Sequence, residues 1–168
     1  MKVIVYTSNA GSTAEYAQLL GNELNLPVYS LKQAKNNVSC GNAIIYLGWI
    51  MAGEIKGYKR ATKLYKVHAV CGVGMGQTGT QLKEVRNKNA IPSRIPLFTL
   101  QGNFDVKKLH GVYRFMMSVM VKMVGKQLAN KVNRTFEEDD MLDMMVNGGK
   151  RVSLENLKVV TEWYKSVF

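Results

Sequence analysis

The sequence predicts an α/β fold: a doubly wound, five-stranded parallel sheet with helices on both faces. Three observations carry this. Apolar, β-rich runs alternate with helical patterns along the chain. The runs Ala43-Ile44-Ile45-Tyr46-Leu47 and His68-Ala69-Val70-Cys71 are continuously apolar rather than alternating. Strands of that kind are buried on both faces, as in a parallel sheet covered by helices. The first strand also passes through a loop of small residues straight into a helix, the start of a right-handed crossover.

The elements follow in order. Residues 2–7 read as the first strand and 12–25 as the first helix, where Ala17, Leu20 and Leu24 recur at helical spacing with Glu15 and Glu23 off that face. Strands are expected at 27–30, 42–48, 66–73 and 95–101. Further helices are expected at 58–65, 78–88, 112–124 and 153–166, the last loosely capped by Ser153 ahead of Asn156. Residues 130–150 are the least regular. Glu137-Glu138-Asp139-Asp140, a Met-rich segment and Asn147-Gly148-Gly149 read there as a loop or short helix ending in a turn.

At 168 residues and 46% hydrophobic content, the chain suits a single domain spanning 1–168 with a sizeable core. Its two cysteines, Cys40 and Cys71, make no disulfide framework and read as buried thiols in a reducing compartment. The two histidines, His68 and His110, are too far apart in sequence for a metal-ligand spacing. No apolar run is long enough to span a membrane, and Met1 leads straight into a strand, so a cytoplasmic protein without a signal peptide is expected.

Charge is uneven. Residues 56–134 carry sixteen basic and two acidic side chains, within a net charge of +11. Such a stretch attracts anionic partners: a membrane surface, an acidic protein or a carboxylated, hydrophobic substrate. It equally describes a solvated, Lys-rich surface. No aromatic-basic motif accompanies it, so specific nucleic-acid binding is not expected.

In an open parallel sheet, ligands sit beyond the carboxyl ends of the strands. Three such ends are informative. The first is Thr7, Ser8, Asn9, Ala10, Gly11, Ser12 and Thr13. This loop of small and hydroxyl residues opens a helix, whose first turn has unpaired N–H groups and the positive end of the dipole. That arrangement suits a phosphate. No Lys or Arg lies between Val3 and Ala17, so the donors there are neutral. The loop lacks both the Gly-Lys-Ser/Thr ending of a nucleotide P-loop and the Gly-x-Gly-x-x-Gly of a dinucleotide fold. Its plainer reading is a strand–turn–helix with Ser12 as a cap.

The second end is Gly48, Trp49, Ile50, Met51, Ala52, Gly53 and Glu54, where glycines allow close approach and Trp49 offers a flat face. The third is Gly72, Val73, Gly74, Met75, Gly76, Gln77, Thr78 and Gly79, a glycine-rich loop able to lie against a planar ligand, with Thr78 as a helix cap. One phosphate loop and two loops for a flat heterocycle fit FMN better than ATP, because neither a lysine nor an acidic magnesium ligand accompanies them. Cofactor contacts are therefore expected at Thr7, Ser8, Asn9, Ala10, Gly11, Ser12 and Thr13, at Trp49, Ile50, Met51, Ala52 and Gly53, and at Gly72, Val73, Gly74 and Met75. No Cys, His or carboxylate stands where a catalytic acid or base is needed, Glu54 being the nearest.

The hydroxyl-rich first loop resembles the FMN phosphate loop of flavodoxins, and the order of loops is similar over most of the chain. The segments Gln101-Gly102-Asn103-Phe104-Asp105, Tyr113-Arg114-Phe115-Met116-Met117 and Val121-Lys122-Met123-Val124-Gly125 resemble the flavodoxin-like, menaquinone-dependent protoporphyrinogen IX dehydrogenases. The resemblance implies a flavodoxin-like fold, FMN, a redox partner protein or quinone, cytoplasmic placement and association with a membrane. It also implies a backbone at Met51–Gly53 that bonds near the reactive edge of the flavin and flips with redox state. Phe115, Met116, Val119, Met120, Met123 and Val124 form an apolar helical face, read either as core or as a surface for a greasy substrate or lipid aided by Lys107, Lys108, Lys122 and Lys126. Two functions remain open: an FMN-dependent oxidoreductase with its own substrate, and an electron-transfer protein without one. Carrier flavodoxins are typically acidic, unlike this chain.

Overall fold

The computed structural model describes residues 2–105 and 111–168, apart from the side chain of Tyr113. In chain order the elements are β1 (Val3–Thr7), α1 (Ser12–Leu24), β2 (Val28–Ser30), α2 (Leu31–Asn37), β3 (Ala43–Met51), β4 (Glu54–Ile55), α3 (Tyr58–Leu64), β5 (Lys66–Gly74), α4 (Leu82–Lys88), β6 (Leu97–Gln101), α5 (Gly111–Ala129), α6 (Phe136–Asn147) and α7 (Leu154–Val167). Five strands lie parallel in the order β2-β1-β3-β5-β6, and β4 pairs antiparallel with β3. Chain direction reverses its progress across the sheet between β1 and β3, which creates a switch point at their carboxyl ends.

Continuous apolar runs serve two cores. Val3, Val5, Ile44, Tyr46 and Val70 face Leu31 and Ala34 of α2, Tyr58 and Ala61 of α3 and Val85 of α4. Ile4, Ile45, Leu47, Ala69 and Cys71 face Tyr16, Ala17 and Leu20 of α1 and Leu157 and Val160 of α7. Alternate residues of one strand thus bury into opposite layers. A third cluster joins Phe104, Met144 and Met145 to the inner side of α5.

Several expectations need correction. Two helices exceed the pattern read for them: α2 was not anticipated, and the loop or short helix of 130–150 contains the twelve-residue α6. Both carry a capping box, Ser30 with Gln33 and Thr135 with Glu138. Reciprocal side-chain bonds to two orphan N–H groups start each helix. Strand β3 does not end at Gly48 but runs to Met51, and β5 runs to Gly74. Helix α4 starts at Leu82, not Thr78, with Gln81 as its N-cap, and α5 extends to Ala129. Cys71 is buried as expected, whereas Cys40 is exposed.

Burial pushes the Cys71 thiol up to about 12 and the Tyr46 hydroxyl to about 12. Both groups are neutral when protonated, so folding favours the protonated form. Their contribution to stability is whole below the ordinary values of 9.0 and 10.0 and is lost as pH rises toward about 12. The protein is expected to hold a flat stability up to about pH 9 on this account. It should then unfold progressively through alkaline titration, and Tyr46→Phe with Cys71→Ala should move the denaturant midpoint less steeply with pH above that point.

Candidate functional site

The carboxyl ends of the parallel strands meet in register. Thr7 pairs with Gly48, Gly48 with Gly72, and Gly74 with Gln101. The first predicted loop therefore stands beside β3 at the switch point.

Between Thr7 and α1 the chain makes a tight turn. The Ser8 hydroxyl accepts from the Gly11 N–H at 3.2 Å, and Gly11 has φ 104°, a conformation that favours glycine. Gly11 is the N-cap of α1 and makes no side-chain cap bond, so the first-turn N–H groups are open to an anion. Ser12 is not the cap. Its hydroxyl donates to the Asn103 carbonyl at 3.3 Å and accepts from the Asn103 N–H at 3.0 Å, tying the turn to the end of β6. Thr7 Oγ1 lies 2.7 Å from the Tyr46 hydroxyl, which donates to the Lys56 carbonyl at 2.8 Å. The hydroxyls of Thr7 and Ser12 are thus committed to structure.

Asn9 differs. Its side-chain Nδ2 is buried and has no hydrogen-bond partner, alone in that respect among the described residues. An unmet buried amide costs about 1–3 kcal/mol. Asn9 lies in the loop between β1 and α1 and lines a cleft beside it.

The loop lacks cations in sequence, but the fold supplies them. A cleft of about 670 Å³ is lined by Tyr6, Thr7, Ser8, Asn9 and Gly11 on one side and by Ser30, Lys32, Lys35 and Arg60 on the other. Lys32 and Lys35 come from α2 and Arg60 from α3. None of the three has a carboxylate partner among the described residues. The neutral loop thus faces, across the cleft, cations that α2 and α3 carry in from other parts of the chain.

The second predicted loop is largely strand. Gly48, Trp49, Ile50 and Met51 continue β3, and Ala52 and Gly53, at φ 50° and 77°, form a hairpin turn into β4. Trp49 and Met51 extend the row of Ile45 and Leu47 and are half-buried, while Ile50 packs into the opposite core. Gly48 is there for packing, not for a ring: a Cβ on it would fall 2.5 Å from the Ile55 methyl and 2.7 Å from the Lys56 carbonyl. Asn89 clamps the hairpin. Its Nδ2 donates to the carbonyls of Gly53 (2.8 Å) and Val85 (2.7 Å), and its Oδ1 accepts from the Ile55 N–H at 2.8 Å. Asn89 fixes the Gly53 carbonyl, so the expected backbone flip at Met51–Gly53 falls to the peptides on the amino side of Gly53. Glu54 is ion-paired with Lys56 at 2.7 Å. The hydrogen bond from Lys56 holds its carboxyl below the ordinary range.

The third predicted loop also differs. Gly72 and Val73 are buried within β5, and a Cβ on Gly72 would meet Ile50 at 2.7 Å. Thr78, Gly79 and Thr80 fold against the outer edge of β6. Thr78 Oγ1 accepts from the Gln101 N–H at 3.1 Å, the Gly79 N–H donates to Thr99 at 3.0 Å, and the Thr99 hydroxyl donates to Thr80 at 2.7 Å. Thr78 thus covers an edge strand instead of capping a helix. Gly74 and Met75 remain at the strand end, and Met75 packs on the Phe104 cluster.

A second cleft, about 570 Å³, opens on the other side of the turn. It is lined by Ala10, Gly11, Ser12 and Glu15, by Asn103, Phe104 and Asp105, and by residues 144–150. Sequence reading missed this wall, because α6 returns to the sheet only through tertiary contacts. Asp140 accepts from Gln101 Nε2 at 2.6 Å and from Arg151 at 3.1 Å, and Asn103 Oδ1 accepts from the N–H groups of Arg151 (2.6 Å) and Val152 (2.9 Å). Lys107 and Lys108 lie outside the described residues.

Strand order, switch point and anion loop agree with one comparison. A model of the flavodoxin domain matches residues 3–130. The chain belongs to the flavodoxin-domain family. Comparison with curated proteins and with solved structures gave no match. The family match runs from β1 through α5 and stops before α6, so the wall of the second cleft made by residues 144–150 lies outside it. Flavodoxin domains typically bind FMN, and the loop at 7–13 offers what a phosphomonoester needs: an open helix N-terminus, a small-residue turn and an unmet amide. No helix among the described residues is long and apolar enough to cross a membrane.

Proposed function

We propose that this flavodoxin-domain protein is an FMN-dependent oxidoreductase that passes electrons to a quinone, in the manner of the protoporphyrinogen dehydrogenases its 101–125 segment resembles. The observation that carries the cofactor is the buried, partnerless Asn9 Nδ2 at the switch point. A donor atom held unmet in the wall of a cleft is best explained by an acceptor that arrives with a ligand. The Asn9 amide and the first-turn N–H groups of α1 would hold the phosphate, and Lys32, Lys35 and Arg60 would neutralise its second charge. Trp49, Met51, Gly74 and Met75 stand where the strands end and would line the ring system. The flavin supplies the electron and hydride chemistry. The protein supplies position, exclusion of water and charge.

The second cleft favours an enzyme over a carrier. It shares Gly11 and Ser12 with the phosphate loop, has a floor of Phe104, Met144 and Met145, and has Lys150 at its rim. Glu15 and Asp105 line it as well, so the apolar floor and not the charge suits a hydrophobic substrate, and a carrier that only docks on partners needs no such cavity.

The test has two stages. A purified preparation should be yellow and release one FMN per chain on denaturation. Turnover of protoporphyrinogen with a menaquinone analogue then supports the enzyme, whereas reduction only through a reductase partner makes the protein an electron carrier. The cationic rim gives a sharper check. Lys32→Ala with Lys35→Ala and Arg60→Ala should weaken FMN roughly tenfold to a hundredfold at low salt while leaving riboflavin, which has no phosphate, unchanged. Equal losses for both ligands would place these cations away from the phosphate.

A further inference from the structure

The cleft between the loop after β1 and helices α2 and α3 is larger than one phosphate requires. It holds about 670 Å³. A phosphate group takes the place of roughly three waters, at about 30 Å³ each. Most of the cleft therefore lies beyond a phosphate seated on the loop at 7–13. Its size falls within the range of whole small-molecule sites, about 300–1,000 Å³.

That further space has a direction. In the strand order β2-β1-β3-β5-β6, the loop after β1 has β3 and β5 on one side and β2 on the other. Trp49, Met51, Gly74 and Met75, the residues proposed for the ring system, stand at the ends of β3 and β5, and none of them lines this cleft. Ser30 ends β2, and Leu31, Lys32 and Lys35 follow it on α2. A flavin anchored by its phosphate at the loop has its ring toward β3 and β5. The cleft then runs on past the phosphate, toward β2.

The walls of that part select an anion. Lys32, Lys35 and Arg60 are exposed and have no ion-pair partner among the described residues. No carboxylate lines this cleft, and neither α2 nor α3 contains one, whereas Glu15 and Asp105 line the other cleft. Lysine ammoniums and an arginine fork, uncompensated and facing a concave surface, are the side chains that hold phosphates. Buried Leu31 and half-buried Tyr6 add apolar surface at the same place. We infer that this cleft is a nucleotide subsite: beyond the flavin phosphate it takes a second phosphate together with the nucleoside that carries it. Lys32, Lys35 and Arg60 then serve both phosphates, and the nucleoside lies on the β2 side. Two sources share this chemistry. The second phosphate belongs either to flavin adenine dinucleotide (FAD), whose pyrophosphate runs from the loop into the cations, or to a separate nucleotide bound beside FMN. The inference rests on the reading of the loop at 7–13 as the seat of the FMN phosphate.

Binding titrations of the full chain, freed of flavin, test it with FMN and FAD, and titrations of the FMN-saturated chain with adenosine monophosphate test the second source. An attached second phosphate makes FAD bind at least about tenfold tighter than FMN. A separate nucleotide makes adenosine monophosphate bind the FMN complex, and adenosine bind it at least about tenfold more weakly. Lys32→Ala with Lys35→Ala and Arg60→Ala should then cost FAD at least about tenfold more than it costs FMN, or cost adenosine monophosphate about tenfold or more. Lys59→Ala with Lys63→Ala, exposed on α3 but outside the cleft, should change either by less than about twofold. Unchanged circular dichroism shows that these surface variants still fold. The subsite is overturned, with the cofactor reading intact, if FMN binds but FAD binds no tighter and adenosine monophosphate either ignores the FMN complex or displaces FMN from it. It is also overturned if the triple variant costs a tightly held FAD no more than it costs FMN, or if the Lys59 and Lys63 changes cost as much. A chain that binds neither flavin overturns the cofactor reading and the subsite together.

Discussion

Asn9→Leu should make the ligand-free protein more stable and the flavin complex weaker. Leucine matches the branching of asparagine at Cγ, with bulkier methyls, and carries no Nδ2 to leave buried and without a partner. Removing that unmet donor should raise stability by about 1 kcal/mol, or roughly 2–4 °C in Tm for a chain of this size. On the proposed reading the same amide donates to a phosphate, and a hydrogen bond to a charged group is worth about 1.5–3 kcal/mol. The FMN dissociation constant should therefore rise roughly tenfold to a hundredfold. Thermal melts with and without FMN, and titration of FMN fluorescence, read both numbers. Opposite signs from one substitution are the signature of a group kept for a ligand at the expense of the fold. If stability falls and FMN affinity holds, Asn9 is an ordinary structural amide and the phosphate belongs elsewhere.

Asn89→Ala should be among the most destabilising polar changes in the chain. Asn89 is 4% exposed and makes three short hydrogen bonds, one back to α4 and two that join the end of α4 to the turn and β4 of the β3–β4 hairpin. Alanine leaves the Ile55 N–H and the Gly53 carbonyl without their partner in a packed region. The expected loss is about 3 kcal/mol, or roughly 6–12 °C in Tm. The hairpin carries Trp49 through Gly53, so flavin affinity should fall with it. Asn89→Asp separates the two roles: its carboxylate can still accept from Ile55 but donates nothing to Gly53 or Val85. A melt as low as that of the alanine variant would show that the two donated bonds do most of the clamping. A loss below about 1 kcal/mol for Asn89→Ala would mean that the hairpin holds itself by strand pairing alone.

The two predictions concern residues of unequal legibility. Asn9 was readable because its loop is contiguous: an apolar run, a turn of small residues and a helix start are neighbours in sequence. Asn89 gave no signal, since an asparagine at a helix end is common and its partners lie 34 and 36 positions away. The capping boxes of α2 and α6 were available as Ser30 with Gln33 and Thr135 with Glu138, and reading them would have placed both helices. The glycines misled. Gly48 and Gly72 look like ring contacts in a list of residues, yet they make room for Ile55 and Ile50.

By itself the chain determined its layers and the small-residue loop between β1 and α1. Both depend on periodicity and on neighbours a few bonds apart, which local physics controls. Only the folded structure decided what surrounds that loop. Lys32, Lys35 and Arg60 reach one flank, Asn103 and residues 144–150 the other, and α5 turns half of its apolar surface outward. Those outcomes depend on which helix crosses which strand end, and on which side of a two-faced helix finds a partner. Side-chain chemistry permits several answers to each, and packing across the whole sheet selects one.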